Sequence, residues 1–224
     1  KKYQVLKLWP AGRHVVGELK KGKQELWLKL ATTEGIGALT QNEFCWNEQF
    51  NLAVPRFSSN YWVPENYASG FYHGLFYLIT DKFDGQLLVE RPEKGNNSKI
   101  ILDQFSSIIG LTETIEKLKI NVGEKVNYQQ YFLDKTKAWF QDIPEMVRGK
   151  YQIIELLNLV KSSYGKLQRR PRHGDFTPWH LMLLKNGKLG LIDGEHAMRD
   201  GVENYDISYF IQRIFSVLEN PALV

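Results

Sequence analysis

The chain has 224 residues, which is enough for one large domain or two small ones around a sizeable core. Hydrophobic residues make up 43% and charged residues 24%, a composition that argues against wholesale disorder and against collagen-like or coiled-coil repeats. The 29 lysines and arginines against 25 acidic residues give a formal net charge of +4. Because a dedicated nucleic-acid binder usually concentrates more positive charge, we expect no nucleic-acid partner.

The single cysteine, Cys45, excludes an internal disulfide framework and a zinc site built on cysteines. One thiol of this kind fits a reducing compartment, and we expect a cytoplasmic location. The most apolar run, 74–79, has the length of a strand and falls short of the roughly 20 apolar residues of a membrane span. We therefore expect no membrane-spanning segment.

The first part of the chain is rich in predicted strands. Apolar alternation predicts strands over 3–8, 14–19 and 24–30, and a pair of strands over 71–80. Because side chains alternate along a strand, Trp27 and Lys29 share one face of the third strand.

After the turn at 84–85 the pattern becomes mainly helical. Apolar residues recur at helical spacing in most of this part, with short strands near His173 and over 189–192. Helices are predicted over 37–52, 100–118, 128–140, 150–164 and 207–218. The outline is an α+β protein with a small antiparallel-sheet N-terminal lobe over 1–80, a hinge over 81–84 and a larger, mainly helical C-terminal lobe over 85–224.

Two carboxylates in the C-terminal half form the most informative pattern. Asp175 and Asp193 each lie at the edge of a short apolar strand, and a turn over 185–188 separates them. A hairpin of this kind brings both to the same mouth. Side by side, they suit a site that orients a hydroxyl with one carboxylate and holds a divalent cation with the other.

These segments resemble the aminoglycoside phosphotransferase-like family of the protein-kinase-like fold. The sequence HGD at 173–175 resembles that family's catalytic loop, which extends over 172–181 here, and IDGE at 192–195 resembles its metal-binding segment, which extends over 191–196. The sequence YDIS at 205–208 is similar to its next helix start, and LWLKL at 26–30 to its phosphate-gripping strand. The resemblance implies a two-lobed protein-kinase-like fold.

The resemblance also implies ATP as the nucleotide and assigns residues to it. Lys29 would hold the α- and β-phosphates, Glu43 would position Lys29, and the ring of Trp27 would lie against the adenine. As a plain packing residue, Trp27 is nearly as well explained. The hydrogen bonds to the adenine edge fall to the backbone of four positions, Thr80, Asp81, Lys82 and Phe83.

For the chemistry, the resemblance implies that Asp175 orients the acceptor hydroxyl and takes its proton late. Asp193 would bind Mg²⁺, and His173 and Asp206 would brace the loop. His180 stands where the family has a metal-binding Asn.

Imidazole favours zinc, copper or manganese over magnesium, so the second metal position is weakened, shifted to Mn²⁺ or covered by Glu195. A hydrogen-bonded structural role is the alternative for His180.

The function implied is transfer of the γ-phosphoryl group of ATP to a hydroxyl of a small molecule of the aminoglycoside, sugar, choline or amino-alcohol class. The alternative is a nucleotide-binding pseudokinase with a regulatory or scaffolding role, for which His180 is the main support. We expect the stretch 100–164 to line the acceptor side. It carries eight acidic residues of interest, Asp103, Glu113, Glu116, Glu124, Asp134, Asp142, Glu145 and Glu155.

Overall fold

The computed structural model describes residues 3–94, 99–123 and 128–220. The strands are β1 (Gln4–Ala11), β2 (His14–Lys21), β3 (Gln24–Ala31), β4 (Tyr61–Trp62), β5 (Asn66–Tyr72), β6 (Leu75–Asp81), β7 (Gly85–Leu87), β8 (Arg169–Arg172), β9 (Leu181–Leu184), β10 (Leu189–Leu191) and β11 (Met198–Val202). The α-helices are α1 (Glu34–Ala53), α2 (Lys99–Glu116), α3 (Tyr128–Asp142), α4 (Glu145–Lys150), α5 (Ile153–Tyr164) and α6 (Tyr205–Arg213). The predicted α+β class is confirmed.

The N-terminal part is an antiparallel sheet with the strand order β1-β2-β3-β6-β5. Its first two turns contain Gly12 and Gly22, whose φ angles of +57° and +67° suit glycine. Helix α1 begins earlier than predicted because the hydroxyl of Thr33 caps it, accepting a hydrogen bond from the amide of Ile36. It ends before Pro55, as the sequence predicts.

The main core joins α1 to the C-terminal part of the chain. Trp46 and Phe50 of α1 are almost fully buried in the same cluster as Phe176, Leu191 and Phe210. Strands β9 and β10 form the predicted hairpin, which lies between β4 and β7 in a second sheet. The segment 81–84 connects β6 to β7, and its role as a hinge stays a prediction.

Two helical predictions were wrong in detail. The helix predicted over 150–164 begins later, at Ile153, because Gln152 adopts a left-handed conformation with φ +49° between α4 and α5. The last helix begins at Tyr205, before the predicted 207, and becomes a wider π-helical turn over Ile214–Leu218. Among the described residues, no helix has the length and apolar composition needed to cross a bilayer.

Candidate active site

A cleft of about 820 Å³ lies between the first sheet and the β9–β10 hairpin. We call it the Lys29 cleft. Lys29 and Glu43 line it from one side, and Asp193 and His180 line it from the other. Trp27 also lines it, as its place beside Lys29 on β3 predicts.

The ammonium group of Lys29 forms the charge centre of this cleft. Its Nζ donates to Oε2 of Glu43 at 2.5 Å and also to Oδ1 of Asp193. The side chain of Lys29 is only 15% exposed, so both ion pairs are shielded from water. Sequence positions 29, 43 and 193 are thus brought into direct contact.

Burial and charge act in opposite directions on this triad. Burial lowers the pKa of Lys29, but the two carboxylates raise it more, so it lies above its ordinary value. Burial raises the pKa of Asp193, but the charges of Lys29 and then His180 lower it by more than burial raises it. The pKa of Asp193 therefore lies below its ordinary value. Burial dominates for Glu43 and raises its pKa. Asp193 is therefore the carboxylate held most firmly in its charged form.

The turn after Asp193 depends on close packing. Asp193 itself has φ +69°, and the short 3₁₀ turn Gly194–His196 follows it. A Cβ atom on Gly194 would collide with the indole ring of Trp46. The glycine of the IDGE motif is therefore required by contact with α1, and this contact fixes the position of Asp193.

His180 lies between the two aspartates. Its Nδ1 is 2.9 Å from the backbone oxygen of Asp175, and its Nε2 is 3.3 Å from Oδ2 of Asp193. One possible ligand atom from each of these three residues lies within 4.8 Å of the others. The hairpin therefore brings Asp175 and Asp193 to one mouth, as the sequence predicts.

The loop that carries Asp175 is anchored from below. The carboxylate of Asp206 accepts hydrogen bonds from the backbone amides of His173 at 2.7 Å and Gly174 at 3.0 Å. Burial raises the pKa of Asp206 to about 6, against the effect of these two donors. Burial also lowers the pKa of His173 to about 3, so this ring is neutral where it packs against Trp46.

Glu195 lies beside the possible ligand group, and its predicted part in metal binding stays a prediction. It is 3% exposed and pairs with the guanidinium of Arg13, and it does not belong to the group of Asp175, His180 and Asp193. The reason is that the 3₁₀ turn directs it toward the turn between β1 and β2. Arg13 was missed because it lies 182 positions away in the sequence.

Two of the backbone amides predicted to bind the adenine edge already donate hydrogen bonds within the protein. Thr80, Asp81, Lys82 and Phe83 all line the Lys29 cleft. However, the amide of Asp81 donates to the oxygen of Glu65, and that of Lys82 to the oxygen of Glu25.

The amides of Asp81 and Lys82 are therefore already in use, and hydrogen bonding of these four positions to an adenine stays a prediction. Trp9 also lines the cleft and was missed; its ring meets that of Trp27 edge to face at 5.4 Å.

A second cavity of about 990 Å³ lies on the other side of Asp175, and we call it the Asp175 pocket. It is bounded by α1, by the segment 121–123, by the turn after Asp193 and by α6. Of the described residues in the stretch 100–164, which was predicted to line the acceptor side, 121–123 line this pocket, and the prediction for the stretch stays a prediction. Glu124 lies outside the described residues.

Comparison with known proteins gives the fold. No family model matches the sequence, and no curated protein matches it. A solved structure of a thermostable mutant of aminoglycoside phosphotransferase APH(4)-Ia, in a ternary complex with ADP and hygromycin B, matches with a TM-score of 0.64 and 15% identity over 98% of this chain and 82% of the other. The chain has the protein-kinase-like fold of the aminoglycoside phosphotransferases.

Two further structures share this kinase-like fold. Aminoglycoside-3'-phosphotransferase of type VIII matches with a TM-score of 0.60 and 17% identity over 99% of this chain and 83% of the other. Choline kinase LicA from Streptococcus pneumoniae matches with a TM-score of 0.62 and 14% identity over 96% and 72%. These neighbours are small-molecule kinases with different substrates, so the predicted kinase-like fold is confirmed and the acceptor is left open.

Proposed function

We propose that the protein transfers the γ-phosphoryl group of ATP to a hydroxyl group of a small molecule. The observation that carries this proposal is the unbroken series of contacts from Lys29 through Asp193 and His180 to Asp175. This series joins the Lys29 cleft to the Asp175 pocket, so a triphosphate in one cavity and a hydroxyl in the other would meet at Asp175.

The proposed roles follow from charge and exposure. Lys29 would exchange one of its carboxylate contacts for the phosphate oxygens, since its ammonium group already faces the cleft. Asp175 would accept a hydrogen bond from the acceptor hydroxyl and take its proton as the bond to phosphorus forms. Its side chain is 27% exposed, which is enough for contact with a ligand. Asp206 would hold the loop in place through the two amides it binds.

The residues fit a divalent cation. Asp193 offers a hard carboxylate oxygen, and His180 offers a ring nitrogen at 3.3 Å from it. Because Nδ1 of His180 is 2.9 Å from the backbone oxygen of Asp175, it is the nitrogen that donates a proton there, and Nε2 is left to bind a metal. A cation held here would neutralise phosphate charge. Imidazole suits Mn²⁺ better than Mg²⁺, which favours Mn²⁺ at this site.

The first experiment measures thermal stabilisation by ATP with Mg²⁺, with Mn²⁺ and without metal. We expect metal-dependent stabilisation of the wild type and its loss in Asp193→Ala, whereas Asp142→Ala, which removes an exposed carboxylate outside the cleft, should behave as the wild type does. Release of ADP with a panel of hydroxylated acceptors follows. If ATP and metal stabilised Asp193→Ala as much as the wild type, the proposed role of Asp193 would be contradicted. Stabilisation without any phosphoryl transfer would support the pseudokinase alternative.

The metal assignment has its own experiment. Pulsed electron paramagnetic resonance of bound Mn²⁺ with ADP should show coupling to a directly bound nitrogen, and His180→Asn should lose this coupling. The same variant should shift the preference from Mn²⁺ toward Mg²⁺ by about tenfold. An unchanged spectrum in His180→Asn would show that the ring is structural.

A further inference from the structure

The Asp175 pocket has few carboxylates in its lining for a site that would bind a cationic sugar. Two carboxylates line it within the described residues, Asp175 and Glu195. Glu195 is already paired with Arg13, and Asp175 is the residue proposed to meet the reacting hydroxyl. The described lining therefore has no further carboxylate with which to bind an ammonium group.

The cations of the pocket are held against aromatic rings. The guanidinium group of Arg213 lies 4.5 Å from the ring centre of Tyr209 and also donates to the hydroxyl of that residue. The guanidinium group of Arg172 lies 3.9 Å from the ring centre of Tyr205. The two tyrosine rings stack on each other at 5.8 Å with an angle of 12° between their planes.

Arg213 lines the pocket with a guanidinium group that has no acidic partner among the described residues. No carboxylate of these residues lies within ion-pair distance of it, and its Nη2 donates to a neutral group, the hydroxyl of Tyr209. Planar guanidinium groups bind carboxylate and phosphate groups through paired hydrogen bonds.

We propose that the acceptor of this enzyme is a hydroxylated small molecule that carries a carboxylate or phosphate group, bound by Arg213. The proposal rests on the proposed function, because the hydroxyl is the group that meets Asp175.

The experiment uses four hexoses that share one ring and differ in charge: glucuronate, glucose 6-phosphate, glucose and glucosamine. Their binding is measured by calorimetry, with and without ADP, and by the rate at which iodoacetamide alkylates Cys45. Cys45 is the only cysteine and lines the same pocket, so a ligand in the pocket should slow its alkylation. We expect at least one of the two anionic hexoses to bind about tenfold or more tightly than glucose, and glucosamine to bind most weakly. The order of glucuronate and glucose 6-phosphate tells which anion fits.

Variants at Arg213 test the residue itself. Arg213→Gln should weaken binding of the anionic hexoses about tenfold and leave glucose unchanged, whereas Arg213→Lys should retain part of the preference. Lys185→Gln removes one positive charge from a side chain that is 77% exposed and outside the pocket, so it should change nothing. Glucosamine bound as tightly as the anions, no binding of either anion, or unchanged binding in Arg213→Gln would overturn the proposal.

The two proposals fail in different ways. Binding of an anionic hexose that depends on Arg213 but is never followed by phosphoryl transfer would contradict the proposed function and keep the ligand class. Transfer to glucose or glucosamine in preference to the anions would keep the proposed function and contradict the ligand class.

Discussion

The Lys29 cleft and the Asp175 pocket are joined by the contacts from Lys29 through Asp193 and His180 to Asp175. The two cavities differ in the groups that surround their cationic side chains. In the cleft, Lys29 is placed between two carboxylates, so positive and negative groups neutralise each other inside the protein. In the pocket, the guanidinium group of Arg213 packs on the ring of Tyr209 and has no carboxylate within ion-pair distance among the described residues. Its positive charge is therefore not neutralised by an adjacent carboxylate, as that of Lys29 is. We expect a ligand of the cleft to replace an existing ion pair, and an anionic ligand of the pocket to bind an unpaired cation.

The strongest test of the junction between the two cavities is Asp175→Asn. We expect the rate of phosphoryl transfer to fall by about 10²- to 10⁴-fold, because the amide cannot take the proton of the hydroxyl. Stabilisation by ATP should stay as in the wild type, since Asp175 does not contact Lys29. Steady-state kinetics and thermal shift measure the two effects. A variant that kept its full rate would remove Asp175 from the chemistry.

The next test breaks the charge balance of the cleft. Lys29→Met leaves Glu43 and Asp193 buried without their cation, and we expect the free energy of unfolding to fall by about 3 kcal/mol. Adding Glu43→Gln to Lys29→Met should restore part of this loss, because one uncompensated charge is removed. Urea denaturation of the two variants without nucleotide measures the effect. If the second substitution made the protein less stable still, the ion pairs would not be the source of the loss.

The pH dependence of the unfolding free energy tests the environment of the buried carboxyl group of Asp206. The pKa of Asp206 is about 6 in the folded protein and lies near 3.8 when unfolded, so the folded state binds the proton more tightly. The stabilising contribution of this proton is complete below about pH 4 and is lost as the pH rises through 6.

We therefore expect the unfolding free energy of the wild type, relative to Asp206→Asn, to fall by about 2 to 3 kcal/mol between pH 4 and pH 7. Denaturation of both proteins across this range measures the difference. A difference that stayed constant would mean that Asp206 titrates normally.

The smallest expected effect concerns the base of the nucleotide. Trp27→Leu should weaken ATP binding by about fivefold, since it removes one aromatic surface and leaves the phosphate contacts in place. Trp139→Leu is the matched control, because Trp139 is 63% exposed and does not line the cleft. Equal affinities for wild type and Trp27→Leu, measured by calorimetry, would favour the packing role of this ring.

The cleft was predictable partly from local rules and partly from the family resemblance. Alternation along β3 places Trp27 and Lys29 together, and the turn between β9 and β10 brings Asp193 back toward the loop of Asp175. The meeting of Lys29 with Glu43, in contrast, was expected only from the resemblance. The pocket was not predictable in this way. Arg213 and Tyr209 are ordinary residues of an amphipathic helix, and nothing in their spacing indicates that α6 faces α1 across a cavity.

Other errors arose where tertiary contacts decide the local structure. Gln152 carries no residue-type signal for the left-handed conformation that divides α4 from α5. The ion pair of Glu195 with Arg13 could not be predicted, because the two residues are far apart in the sequence. The nucleotide, metal and support roles of the site residues stay predictions.

Helix α1 limits how the molecule can open to admit a nucleotide. Its residue Glu43 pairs with Lys29. Trp46, nearly one turn further along the helix, packs against Gly194 and His173. A rigid-body movement of the first sheet together with α1 away from the rest of the protein would expose the ring of Trp46, which is only 1% exposed. We therefore expect a nucleotide to enter the Lys29 cleft without separating Trp46 from Gly194.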